Sequence, residues 1–299
     1  ADYNEVREQL LPLLKDMNKF DALAERKQYT NNVKAGRYVI KKDMNNNDII
    51  NSIRSNNLPI QIAFNNQESL EKLAGRISNQ IEADSISLIT AMKEESFLID
   101  NGFSNATALG MYLPNSYEFY WNTTGEGFRN KMLTEYNKFW TDKRKAKAQR
   151  LNMSQNDVMA LASIVYEESK QAEEQPRVAG VYINRLKIGI PLQADPTLKF
   201  AAYKLPEYKN TVIKRVLNKH KEIDSPYNTY KYAGLPPGLI AMPDISAIKA
   251  VLNYEKHNYL YFAADAKRVG YHKFAKSLSQ HNVHAREYQN YLSSQGIYN

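Results

Sequence analysis

The sequence predicts an α+β protein in two parts, a smaller one over residues 1–102 and a larger one over residues 103–299. Three observations carry this reading. Apolar residues recur at helical spacing through most of the chain, and only short runs near residues 36–40, 60–64, 112–121, 259–263 and 270–274 look extended. The 299 residues exceed one ordinary domain. A loop bearing Asn101, Gly102 and Asn105 lies where the patterning changes.

Residues 2–27 carry Val6, Leu10, Leu13, Leu14 and Met17 on one stripe and are read as a single helix, ended by the polar residues Thr30 to Asn32. A compact α+β unit is expected next: a strand over 36–40, a helix around Ile49 to Ile53, and a second strand over 60–64. Helices are expected over 67–80 and 85–93. Beyond the boundary, residues 112–121 read as extended and 125–150 as one long helix. It ends in the basic run Lys143-Arg144-Lys145-Ala146-Lys147, which has few aromatics interleaved and is read as a solvated face. The chain closes with a helix over 244–254, a hairpin of 259–263 with 270–274, and a helix over 277–293, with Asp244 and Ser277 as N-caps.

A hydrophobic fraction of 43% with 24% charged residues is that of a globular protein and excludes a wholly disordered chain. Forty Lys and Arg against 32 Asp and Glu leave a net charge of +8. The absence of cysteine excludes disulfides, thiolate zinc sites, cysteine-held iron–sulfur clusters and a cysteine nucleophile. No apolar run approaches the roughly 20 residues that cross a bilayer. The chain opens at Ala1 without Met, so a signal or anchor is expected to precede it. The 21 tyrosines are read first as half-buried rings with wet hydroxyls. Of His220, His257, His272, His281 and His284, only the last two have helical spacing; lacking a third ligand, they are read as a surface pair. No glycine-rich phosphate loop and no Gly-x-Ser-x-Gly elbow occurs. No metal and no cofactor are expected.

Chemistry concentrates in the larger part. Ser154 and Asp157 have capping-box spacing and start a helix. Turning about 100° per residue from Leu161, Val158, Ala162, Ile164 and Val165 form a stripe that includes Glu168, at about −20°, and leaves Glu167 facing water. A carboxyl held among apolar neighbours stays protonated near neutral pH and can act as a general acid. The pattern equally allows Glu168 to pair with a buried Arg such as Arg185 in a structural role. A second helix runs from Pro176 to its stop at Gly189. The loops Pro191 to Thr197, Ser225 to Tyr230 and Gly234 to Gly238 follow; they present hydroxyls and amides beside tyrosines, which suits a carbohydrate.

Leu161-Ala-Ser-Ile-Val-Tyr-Glu-Glu168, Val178-Ala-Gly-Val-Tyr-Ile-Asn-Arg-Leu186, Leu192-Gln-Ala-Asp-Pro-Thr197, and Ser225-Pro-Tyr-Asn-Thr-Tyr230 with Gly234-Leu-Pro-Pro-Gly238 resemble, in order, the signature blocks of the YceG-like endolytic murein transglycosylases. Tyr259 to Phe262 and His272 to Phe274 extend the resemblance, and residues 36–53 resemble the family's LysM-like subdomain. The chain departs from the blocks at Tyr166, Leu239 and Asp244, where a polar or acidic residue, a proline and a glycine are common. The resemblance implies a bacterial enzyme held to the cytoplasmic membrane by one N-terminal helix, with its catalytic part on the extracytoplasmic side. It implies peptidoglycan strands as substrate and cell-wall synthases as partners, with no nucleic acid. It places the catalytic acid on Glu168. A cleft is then expected from Glu168 with Asn184, Arg185, Gln193, Asp195, Thr197, Tyr227, Asn228 and Tyr230 as substrate-binding residues. With one inward-facing acid and no equally placed partner, a lytic route to 1,6-anhydro ends is expected. The alternatives are a hydrolase using Asp195 or Asp224 as second carboxylate, and a glycan-binding module without catalysis.

Overall fold

The structure, a computed structural model, describes residues 2–208, 211–213 and 216–295. It has the α+β character expected, divided into two units. The first comprises Ala1–Phe64, Leu73–Met92 and Asn115–Arg129, and the second Asn65–Lys72, Lys93–Pro114 and Asn130–Asn299.

In the first unit, the single helix expected over 2–27 is two helices, α1 (Tyr3–Leu10) and α2 (Met17–Arg26). Pro12 has no N–H to continue the first, and Asp16 starts the second by accepting from the Lys19 amide. The apolar stripe survives the break. Leu10, Met17, Phe20 and Ala24 bury against Tyr29 and against Ile49, Ile50 and Ile53 of α3 (Asn46–Ser55). Residues 36–40, expected as a strand, join no ladder; Arg37 is held instead by its carbonyl accepting from Leu58 and its amide donating to the Asn57 side chain. Strand β1 (Pro59–Phe64) pairs antiparallel with β2 (Asn115–Tyr120), with Ile62 opposite Tyr117. Inward-facing Phe64 and Phe119 meet Phe128, with Phe119 stacked on it at 5.2 Å between centroids, and Tyr117 stacks on Phe64.

Helices α4 (Leu70–Ser78) and α5 (Ser85–Met92) stand where expected, and a short α6 (Glu95–Asp100) adds to them. The long helix expected over 125–150 is α7 (Gly125–Phe139) and α8 (Asp142–Arg150), because Thr141 leaves the helical path and caps α8 through the Arg144 amide.

The second unit is built round α9 (Gln155–Glu168), whose residues Val158 to Val165 are all buried. The capping box of Ser154 and Asp157 forms as the sequence implies. Ser163 lies in the middle of this apolar helix, but its hydroxyl donates to the Ala160 carbonyl at 2.7 Å and accepts from the Ile240 amide at 3.1 Å. That satisfies a polar group at full burial and pins residues 239–242 to α9. Helix α10 (Gln175–Lys187) packs on α9, and Gly189, at φ +71°, supplies the left-handed turn that ends it. The loop expected over 191–197 turns helical at its end: Asp195 and Pro196 open α11 (Asp195–Tyr203), followed by α12 (Asn218–Lys221). Helix α13 (Ile245–Leu252) packs on both α9 and α10; Asp244 takes its N-cap position without a side-chain bond. The hairpin of β3 (Tyr261–Ala264) and β4 (His272–Ala275) is covered by α14 (Leu278–Ser294), which Ser277 caps. No described helix is long and apolar enough to cross a membrane.

Candidate active site

Glu168 is the last residue of α9. Ser169 leaves the helix with extended backbone angles, so the Glu168 side chain projects past the helix end into a cavity of about 350 Å³. Glu167 points away, exposed, and pairs with Lys170. Tyr182, buried on α10, donates its hydroxyl to Glu168 Oε1 at 2.6 Å. Desolvation by the surrounding protein pushes the Glu168 carboxyl up to about 7. The Tyr182 hydrogen bond and the charge of His272 oppose that rise, while the Asp195 carboxylate adds to it. A group that titrates at this point can deliver a proton and take one back near neutral pH.

Arg185 does not pair with Glu168, so the structural pairing that the sequence left open is not formed. Its guanidinium donates to the carbonyls of Pro191 and Leu260 and to Gln193 Oε1, at 2.9, 2.8 and 2.7 Å. One fork thereby ties α10 to the 191–193 loop and to the hairpin. Gln193 sits at φ +54°, a left-handed conformation held by this side-chain bond and by its amide donating to the Thr229 carbonyl. Asp195, at the start of α11, accepts from the Tyr230 hydroxyl at 2.6 Å. Burial and the Asp195 charge push the Tyr230 hydroxyl far up, so it remains a neutral donor.

Of the nine residues expected in one cleft, Glu168, Arg185, Gln193, Asp195 and Tyr230 line this cavity. The other four do not. Asn184 spends its amide on the carbonyls of His257 and Tyr259. Thr197 is fully buried and bonds Ala194 and Thr229. Asn228, also fully buried, donates to Lys221 and Ile223 and accepts from the amides of Tyr230 and Lys231, shaping the turn that presents Tyr230. Tyr227 packs on Phe200 at 4.7 Å. Of the two candidates for a second carboxylate, Asp195 shares the cavity of Glu168, whereas Asp224 is engaged outside it by Lys231 and Tyr232. One further expectation is corrected: His281, expected on the surface, is half-buried and lines the cavity, its ring stacked on Tyr261.

Tyr182, which looks like core in sequence, and His272, which lines the cavity from β4, are two site residues without a signal of that role in the sequence. Both reach Glu168's surroundings through tertiary packing, and no local spacing signals it. Among the described residues no group of His, Asp or Glu is placed to hold a metal ion. A larger groove of about 820 Å³ in the first unit mixes Leu10, Tyr29, Ile53 and Trp121 with Lys34 and Arg37. The raised Glu168 carboxyl, its tyrosine partner and the convergent polar groups lie in the smaller cavity.

The sequence pattern of the YceG-like family matches residues 1–287. The chain belongs to that family. The endolytic murein transglycosylase of Bacillus subtilis (strain 168) is 31% identical over 271 residues, which cover 85% of this chain and 72% of that protein. The endolytic murein transglycosylase of Streptococcus pneumoniae serotype 2 (strain D39 / NCTC 7466) is 27% identical over 304 residues, 91% of this chain; the match spans about half, 53%, of its length. A crystal structure of a YceG-like protein from Listeria monocytogenes superposes with a TM-score of 0.63 at 24% identity, over 95% of each chain, and shows the shared fold. In this YceG-like chain Leu239, where the family commonly has proline, is buried and lies against Gly110. Tyr166 takes Lys170 over its ring at 3.4 Å.

Proposed function

We propose that this YceG-like protein is an endolytic lytic transglycosylase of peptidoglycan, with Glu168 as general acid and then general base. The observation that carries the reading is the Glu168 carboxyl, pushed up to about 7 in a cavity and hydrogen-bonded to Tyr182. At neutral pH a protonated Glu168 gives its proton to the glycosidic oxygen, and the bond from that oxygen to the anomeric carbon breaks. The departing sugar leaves an oxocarbenium-like centre. Glu168, now a carboxylate steadied by Tyr182, takes the proton of the sugar's own 6-hydroxyl, whose oxygen closes on the anomeric carbon. The acid is restored without water, and the new end is 1,6-anhydro-N-acetylmuramic acid.

Asp195 supports a second reading, because a carboxylate in the same cavity is what hydrolysis requires as base or nucleophile. In the lytic reading it keeps Glu168 protonated and meets positive charge developing on the sugar. Digestion of purified peptidoglycan in ¹⁸O-labelled water separates the two. Anhydro ends, lighter by one water and free of label, are expected; labelled reducing ends would overturn the lytic assignment in favour of Asp195-assisted hydrolysis. A folded Glu168→Gln variant is expected to lose turnover, since an amide cannot deliver the proton, and near-normal turnover would remove Glu168 from the role.

All residues named in this mechanism lie beyond residue 103, and we place catalysis in that larger part. Murein as substrate implies work outside the cytoplasmic membrane. An N-terminal membrane anchor and cell-wall synthases as partners complete the proposal. What supports them is the family resemblance.

A further inference from the structure

Glu174 is the most deeply buried carboxylate of the second unit's site region that the mechanism above leaves unused. Its side chain is 5% exposed and stands at the N-cap of α10. It accepts from Ser169 Oγ at 3.0 Å, from the His272 amide at 2.8 Å and from His272 Nδ1 at 2.8 Å. Burial pushes this carboxyl up, but the bonds from His272 and Ser169 outweigh it and hold Glu174 below its ordinary value, so it is ionised and can only accept. Nδ1 of His272 therefore carries the hydrogen. Phe262 meets the ring edge-on at 5.0 Å, and the Nδ1 bond to Glu174 orients the imidazole. Nε2, with no protein partner among the described residues, is the polar atom that the ring keeps for the cavity. Ser169 follows Glu168 in the chain, so the same carboxylate fixes the end of the helix that carries the acid.

We propose that His272, aimed by the buried Glu174, is a further catalytic residue that contacts a hydroxyl of the bound sugar through Nε2. The proposal rests on the assignment of Glu168 as the acid. Charged or titratable groups of this cavity are Glu168 from α9, Tyr182 and Arg185 from α10, Asp195 from α11, Tyr230, Tyr261 from β3 and His281 from α14, with Glu174 at the N-cap of α10 bonded to the ring and Lys199 of α11 acting on Glu168. Glu173 is occupied by the Tyr271 hydroxyl. Any positive charge on His272 favours the Glu168 carboxylate. Replacing a charged ring with a neutral side chain raises the pH at which the acid is lost.

The test compares pH–rate profiles for peptidoglycan cleavage by the wild type, His272→Gln, Glu174→Gln and the double variant. His272→Gln is expected to lower kcat/KM about tenfold or more and to move the alkaline limb to higher pH. The double variant is expected to be no worse than the worse single, since the two side chains act as one unit. In parallel, binding of purified glycan strands is measured on Glu168→Gln with and without His272→Gln, and the second change is expected to weaken binding severalfold. An unmoved limb with normal kcat/KM, or unaltered strand affinity, overturns the proposal. If Glu168→Gln itself proves active, the acid assignment fails instead, and the binding comparison still decides whether His272 touches the sugar.

Discussion

Tyr182→Phe isolates the control of the acid. The substitution keeps the buried ring and its edge-on contact with Phe262 at 5.8 Å and removes only the hydroxyl that reaches Glu168 Oε1 at 2.6 Å. A hydrogen bond to a charged group contributes about 1.5–3 kcal/mol net, and one pKa unit corresponds to about 1.4 kcal/mol. The bond favours the ionised carboxyl, so its loss favours the protonated form. The Glu168 transition should therefore rise from about 7 by about one to two units. The assay is release of soluble products from purified sacculi between about pH 5 and 10, with circular dichroism confirming the fold. The falling limb should move to higher pH, and turnover on the acidic side should drop because a weaker acid protonates the leaving oxygen less readily. A limb that stays in place, or moves to lower pH, would refute the claim that Tyr182 tunes Glu168.

Three further outcomes follow from the same geometry. The folded-state value of about 7 lies above the ordinary 4.5, so the cost of burying the Glu168 carboxylate is absent below about pH 4.5, grows with pH, and is complete above about pH 7. Glu168→Gln should thus be more stable than the wild type at pH 8, by at most about 3 kcal/mol, and lose that advantage towards pH 5. Thermal melts across pH check this, and parallel pH dependence of the two proteins would contradict it. Asp195→Asn removes the negative neighbour that helps hold Glu168 up, so the alkaline limb of the cleavage profile should move to lower pH by up to about one unit; an upward move would contradict the stated coupling. Gly180→Ala places a Cβ 2.5 Å from the Glu255 carbonyl and 2.6 Å from His257 Nε2, backbone and ring that cannot both retreat. It should cost about 2–3 kcal/mol in denaturant unfolding, and an unchanged midpoint would show that residues 255–257 do not press on α10 as described.

Much of the second unit was legible because its signals are local. The capping box of Ser154 and Asp157 and the 3.6-residue period place α9, and the same period turns Glu168 inward and Glu167 outward, as the structure has them. Gly189 and Ser277 mark helix ends for equally local reasons. Pro12 and Thr141 carried the signals for the two helix breaks that the apolar stripe overrode. Strand β1 was placed by its residues, but its partner, β2, lies more than 50 residues away, and local sequence does not specify that pairing.

The polar residues divide along the same line. Asn184, Thr197 and Asn228 look in sequence like Gln193, Asp195 and Tyr230, because a polar side chain serves a backbone group and a sugar hydroxyl equally well. Packing alone decides that the first three hold the loops and that the last three line the cavity. The sequence by itself determined which carboxyl faces inward, since helical periodicity is a property of neighbouring residues. Only the tertiary structure decided what that carboxyl meets, because Tyr182, Asp195 and His272 come from α10, α11 and β4, and their proximity exists only once those elements are packed.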